Sequence, residues 1–147
     1  MDLQENMKVT GELSIVVRDF EGKIKQTLHV PNLVVTNGKN YIASRMVGVA
    51  STVMSHMAIG TGTATPVVGD STLGVEAGRV TLSSFTASAN AVTATATFPA
   101  GTGTGAITEA GIFNAASSGA MLCRTTFPVV NKASGDSIAI TWVITVS

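Results

Sequence analysis

The groups in this chain that could do chemistry are few and scattered. Glu109 stands in Ile107-Thr108-Glu109-Ala110-Gly111-Ile112-Phe113, an otherwise uncharged stretch. A carboxylate among apolar neighbours must be solvated or paired. The basic residues of the second half before Lys132 are Arg79 and Arg124. The expectation is therefore a structural ion pair between Glu109 and Arg79 or Arg124, within one subunit or between two. Acid–base catalysis would need a second carboxylate in the same cleft. Asp70 and Asp136 have the right type, but no spacing places them beside Glu109.

The other candidates read as structure. Gly101-Thr102-Gly103-Thr104-Gly105 has the composition of a phosphate cradle but lacks the following Lys and helix of a P-loop; it is expected to be a flexible connector between strands. His29 and His56 lie far apart, with no carboxylate or Cys at ligand spacing. Cys123 neighbours Arg124, which an extended strand would put on the opposite face. A nucleophilic Cys needs a nearby base and a lowered pKa, so Cys123 reads as a small buried hydrophobe. No catalytic, cofactor-binding or metal-binding residues are expected, and no enzymatic activity.

Composition narrows the partners. The chain has 147 residues, enough for one domain with its own core. Nine basic and nine acidic residues balance to zero net charge, which argues against a nucleic-acid backbone or an anionic membrane as partner. A single cysteine excludes an intramolecular disulfide. No apolar run approaches the roughly 20 residues that span a bilayer. The N-terminal residues are polar and lack the apolar core of a signal peptide, so the chain is expected to be soluble and cytosolic at synthesis. Only 12% of residues are charged, and mean hydropathy is +0.39. So little charge gives poor colloidal protection, which points to a surface covered in an assembly.

These residues must be positioned mostly by strands. Leu13, Ile15 and Val17 alternate with Ser14, Val16 and Arg18, and the turn Asp19-Phe20-Glu21-Gly22 returns the chain along Lys23 to Val30. Pro31-Asn32 is expected to break that ladder, and Leu33-Val34-Val35 to form a short strand. Thr36 to Val47 has helical spacing in Tyr41, Ile42, Arg45 and Met46, with Thr36 or Asn37 as cap and Gly48 as stop. Met54 to Gly60 reads as a buried strand, Thr61 to Gly69 as a loop, and Asp70 to Leu73 as a helical turn capped by Asp70. Val92, Ala94, Ala96 and Phe98 alternate with threonines. Ala106 to Asn114, Met121 to Phe127 and Ile138 to Val146 complete the strands, with Pro128 and Lys132 to Asp136 separating the last two. The fold class is mostly β: a β-sandwich or jelly roll of about eight strands with one short helix near residues 36–47. Residues 8–147 form the single domain, and residues 1–7 an N-terminal arm.

Three stretches together resemble small structural proteins of tailed-bacteriophage virions. They are Asn32-Leu33-Val34-Val35-Thr36-Asn37-Gly38-Lys39-Asn40-Tyr41-Ile42-Ala43-Ser44-Arg45-Met46, Met57-Ala58-Ile59-Gly60-Thr61-Gly62, and Ile107 to Asn114. The likeness runs in order from about Met7 to Val146. It implies a virion structural role, with capsid decoration (cement) as first choice and a tail-fibre, baseplate or receptor-recognition module as alternative. The implied partner is the major capsid protein, engaged at the capsid surface by a dimer or trimer through multivalent contacts. Met1, Asp2, Leu3, Gln4, Glu5 and Asn6 would be the capsid-contacting arm.

Overall fold

A computed structural model describes residues 3–49 and 51–147. Alternation of apolar and polar residues builds the first hairpin, β1 (Val9–Arg18) and β2 (Ile24–Val34). Its turn is fixed by Asp19, whose Oδ1 accepts from the Glu21 and Lys23 N–H groups, and by Gly22 at φ +85°. The helix α1 (Thr36–Met46) follows, then β3 (His56–Gly60), β4 (Glu76–Thr81), β5 (Ser84–Ser88), β6 (Ala91–Phe98), β7 (Gly105–Phe113), β8 (Met121–Lys132) and β9 (Ser137–Val146). The mostly-β class, with one helix among the described residues, matches the sequence expectation.

Among the described residues the nine strands join one antiparallel sheet in the order β4-β3-β7-β8-β2-β1-β9-β6-β5. The sheet curls into two walls. One wall is β2-β1-β9-β6-β5 and the other β4-β3-β7-β8. β2 links them by changing partners: up to Asn32 it pairs with β1, whereas Leu33 and Val34 pair with Arg124 and Cys123 of β8. At the far side only Leu82 and Ser83 separate β4 from β5, so the two ends of the sheet are consecutive in the chain.

The core lies between the walls. Along one cross-strand row Val30, Leu13, Trp142 and Ala94 stand side by side, the small Ala94 making room for the indole. Ile15, Ile140 and Ala96 form the next row, and Val17, Ile138 and Phe98 the third. The opposite wall contributes Met57, Ile59, Ala110, Ile112 and Cys123. Burying a Leu, Ile or Phe side chain is worth about 1.5–3 kcal/mol, so these rows dominate the stability. Trp142 Nε1–H donates to Asn32 Oδ1 at 2.9 Å, which satisfies the one polar atom of the largest core residue.

Several local expectations are corrected. Pro31 does not end the strand: it lies in β2, opposite Glu12, just before the change of partner, where a missing N–H costs least. Val35, not Thr36 or Asn37, is the N-cap, and no side chain caps the helix. Instead the Thr36 N–H donates to Val68 O from a neighbouring loop. Asp70 to Leu73 is not helical, because Asp70 is committed to Val67 N–H and Arg124. Pro128 does not close β8, because the register against β7 shifts around Thr108 and the extra residues absorb it. Residues 101–105 are not a free connector. Gly105 opens β7, and Gly103 is buried with Ile59 and Gly78 against it.

Candidate functional site

The site grows from a row of residues on the outer face of the second wall. Register places Arg79 of β4, Ala58 of β3, Gly111 of β7 and Arg124 of β8 side by side. The two small central residues leave a shallow floor, which Leu73 fills together with Phe113, Met121 and Val35. The loop 61–75 therefore covers this face, and both faces of β7 are buried from Ile107 to Phe113. One position along, Glu109 lies opposite Gly60 and Thr126, diagonal to Arg124.

Glu109 is 0% exposed and Arg124 2%. Arg124 Nη2–H and Nε–H donate to Glu109 Oε1 at 3.0 and 3.3 Å. Gly74 N–H donates to the same oxygen at 2.7 Å. Gly62 and Val75 N–H groups donate to Oε2 at 2.5 and 2.8 Å. Arg124 continues outward to Asp70 Oδ2 at 2.8 Å and Ala64 O at 3.1 Å. Thr108 Oγ1–H adds a bond to Gly62 O. Three carboxylate and guanidinium groups thus hold both ends and the middle of the 61–75 loop.

Electrostatics follow from this geometry. Burial pushes the Glu109 carboxyl up, but the N–H groups of Val75 and Gly74, the Arg124 guanidinium and the Gly62 N–H outweigh it and hold the pKa below the ordinary 4.5. Gly62 has to be glycine, since a Cβ there would run into Glu109 Oε2. With both oxygens occupied, Glu109 has no face left for a substrate and little tendency to take a proton. The arrangement is a clasp.

Of the two arginines expected beside Glu109, the structure selects Arg124, within the chain. Arg79 is elsewhere engaged: it pairs with Glu76 at 2.6 Å, donates to Ala115 O and Ser118 O, and lies 3.8 Å from the Phe113 ring centroid. Asp70 joins the clasp, a partner that spacing alone did not reveal. Asp136 does not; it accepts from Lys25 Nζ at 2.5 Å and from Ala133 N–H. Lys132 is buried and donates to Pro99 O at 2.8 Å. Nothing in the sequence marked that lysine as interior. Cys123 is buried, and burial pushes its thiol pKa up. His29 contacts Ser14 and Glu12, whereas His56 contacts Ser55 and Thr81. Among the described residues no group of three His, Cys, Asp or Glu could hold a metal, and no helix is long and apolar enough to cross a membrane.

The surface differs at the helix end. A hollow of about 490 Å³ lies among Met7, Val9, Ile42, Ala43 and Met46, with Lys8, Thr10 and Lys39 also on its wall. A second, of about 420 Å³, shares Val9 and Ile42 and reaches Tyr41, Val53, Phe85 and Ile144. Leu3, Met7, Met46, Val47, Val49 and Val53 are all at least half exposed. Leu3 to Asn6 of the arm are exposed and precede the first ladder contact, Lys8 with Ser147; Met1 and Asp2 lie outside the described residues. No family model, curated protein or solved structure matches the chain.

Proposed function

We propose that this chain is a virion structural protein that binds the exterior of a bacteriophage capsid and stabilises it as a decoration protein. The observation that carries this reading is the largely apolar helix end: two hollows share Val9 and Ile42, exposed Met46 lines one and exposed Val53 the other, and exposed Val47 and Val49 follow the helix in the chain. Contiguous apolar surface on a domain with 12% charged residues is what a protein-binding face requires. The sequence resemblance to tailed-phage structural proteins supplies the kind of partner. Glu109 is engaged on both oxygens by the clasp and Cys123 is buried, so neither stands as an exposed reactive group. Binding to the major capsid protein would be multivalent, so modest single contacts add up across the lattice.

Capsids assembled without this chain test the reading. They should take up the purified protein saturably, at sites related by the capsid symmetry, and become harder to disrupt by heat. Capsids that bind none of it contradict the proposal. Binding confined to isolated tails would transfer it to a tail or receptor-recognition role.

A further inference from the structure

We propose that two copies of this chain pair through the outer edge of β5. The strand Ser84–Ser88 is bonded to β6 on one side only, and all five residues are exposed. Its hairpin has a two-residue loop, Ala89-Asn90, with Ala89 at φ +52°. In such a hairpin the flanking pair, Ser88 and Ala91, bond to each other, and alternate residues follow. Phe85 and Ala87 therefore turn their N–H and C=O groups away from β6. Among the described residues no backbone group is bonded to them there.

Edges of this kind are normally defended by charge, proline or a bulge in mid-strand. This one is not. No ionisable side chain occurs between Arg79 and Glu109, and Ser84-Phe85-Thr86-Ala87-Ser88 contains no proline. The strand is also complementary to itself. Antiparallel pairing about a two-fold axis at Thr86 sets Ser84 against Ser88, Phe85 against Ala87, and Thr86 against Thr86 of the second copy. Small meets large at Phe85–Ala87, and a Thr–Thr cross-strand pair is favourable. In this register the outward N–H and C=O groups of Phe85 and Ala87 face one another across the axis. Phe85, 36% exposed, lies on the rim of the hollow formed by Tyr41, Ile42 and Val53. The partner strand would extend the apolar rim there. The result is an isologous dimer, whatever place the chain occupies in a virion.

Sedimentation equilibrium of the full chain, from about 5 to about 500 μM, reads this directly. The mass should rise from monomer to dimer and stop. Thr86→Lys and Thr86→Glu each place like charges across the axis, and each alone should raise the dissociation constant at least about tenfold. An equimolar mixture of the two variants should recover the dimer. Thr86 is exposed, so circular dichroism should show both variants folded. In the wild type, amide exchange at Phe85 and Ala87 should slow with concentration. A wild type that stays monomeric throughout overturns the proposal. So does a dimer that neither variant weakens, or a mixture that fails to recover it.

Discussion

Glu109 and Arg124 meet diagonally across β7 and β8, on the face of the sheet turned away from the core, and both are buried there by the 61–75 loop. The pair ties the 61–75 loop to the sheet. Glu109 receives three loop N–H groups, Arg124 donates to one loop carbonyl and to Asp70, and apolar Leu73 fills the floor between them.

Breaking the clasp should therefore cost more than breaking the Arg79–Glu76 pair beside it, whose Glu76 side is 37% exposed. Removing one partner of a buried ion pair costs about 3–5 kcal/mol. We expect that loss for Glu109→Ala. Arg79→Ala removes a partly exposed ion pair, two hydrogen bonds to the Ala115 and Ser118 carbonyls and a cation–π contact, and should cost about 2–3 kcal/mol. Urea denaturation of the two variants checks the order. Limited proteolysis should cut Glu109→Ala first within residues 61–75.

Acid should loosen the same loop. The folded Glu109 pKa is depressed, so its contribution is fully present above the ordinary 4.5 and is lost as pH falls from there through the folded value. Asp136, depressed by the Lys25 hydrogen bond and the Ala133 N–H, acts with the same sign. Lys132 acts at the alkaline end. Burial lowers its pKa, with Asp136 opposing, so stability should rise as pH climbs from the folded value towards the ordinary 10.5. Stability measured from pH 3 to 7 should fall on acidification in the wild type. It should fall less steeply in Glu109→Gln, from an already lower plateau.

The helix supplies a test that runs against propensity. Gly38→Ala in an α-helix ordinarily gains about 1 kcal/mol. Here Gly38 is buried against the Leu122 carbonyl, which β8 turns towards the helix where its register slips, and which also accepts from Val35 N–H. A Cβ would overlap that backbone oxygen. Gly38→Ala should instead cost about 1–3 kcal/mol, the usual penalty for overpacking, read as a lower melting temperature.

The outcomes separate what pattern can foretell from what only folding reveals. Period-two alternation located β1, β6 and β9 and their buried faces, because a residue's side of a strand is a local property. The lone charge at Glu109 announced a pairing for the same reason: an isolated carboxylate in an apolar strand has few ways to be satisfied. The choice of Arg124 over Arg79 was not legible, since it depends on the β7–β8 register and on how far the 61–75 loop folds back. β5 escaped notice because Ser84-Phe85-Thr86-Ala87-Ser88 is exposed on both faces and carries no alternation. Pro31 and Pro128 misled because each occupies an irregularity, a change of partner in β2 and a register shift in β8, where the ladder does not need the N–H.

The arm should matter for attachment and not for folding. Leu3 to Asn6 are exposed and make no ladder contacts, so a chain lacking residues 1–6 should melt within about 1 °C of the full chain while binding capsids more weakly. Capsid occupancy unchanged by the deletion would remove the arm from the mechanism.

The most direct measurement is the copy number of this chain in purified virions, by quantitative mass spectrometry against the major capsid protein. A lattice-covering decoration protein predicts copies in the order of hundreds, in simple proportion to the capsid protein. A few dozen copies or fewer would contradict decoration and point to the tail, and absence from the virion would contradict a structural role altogether.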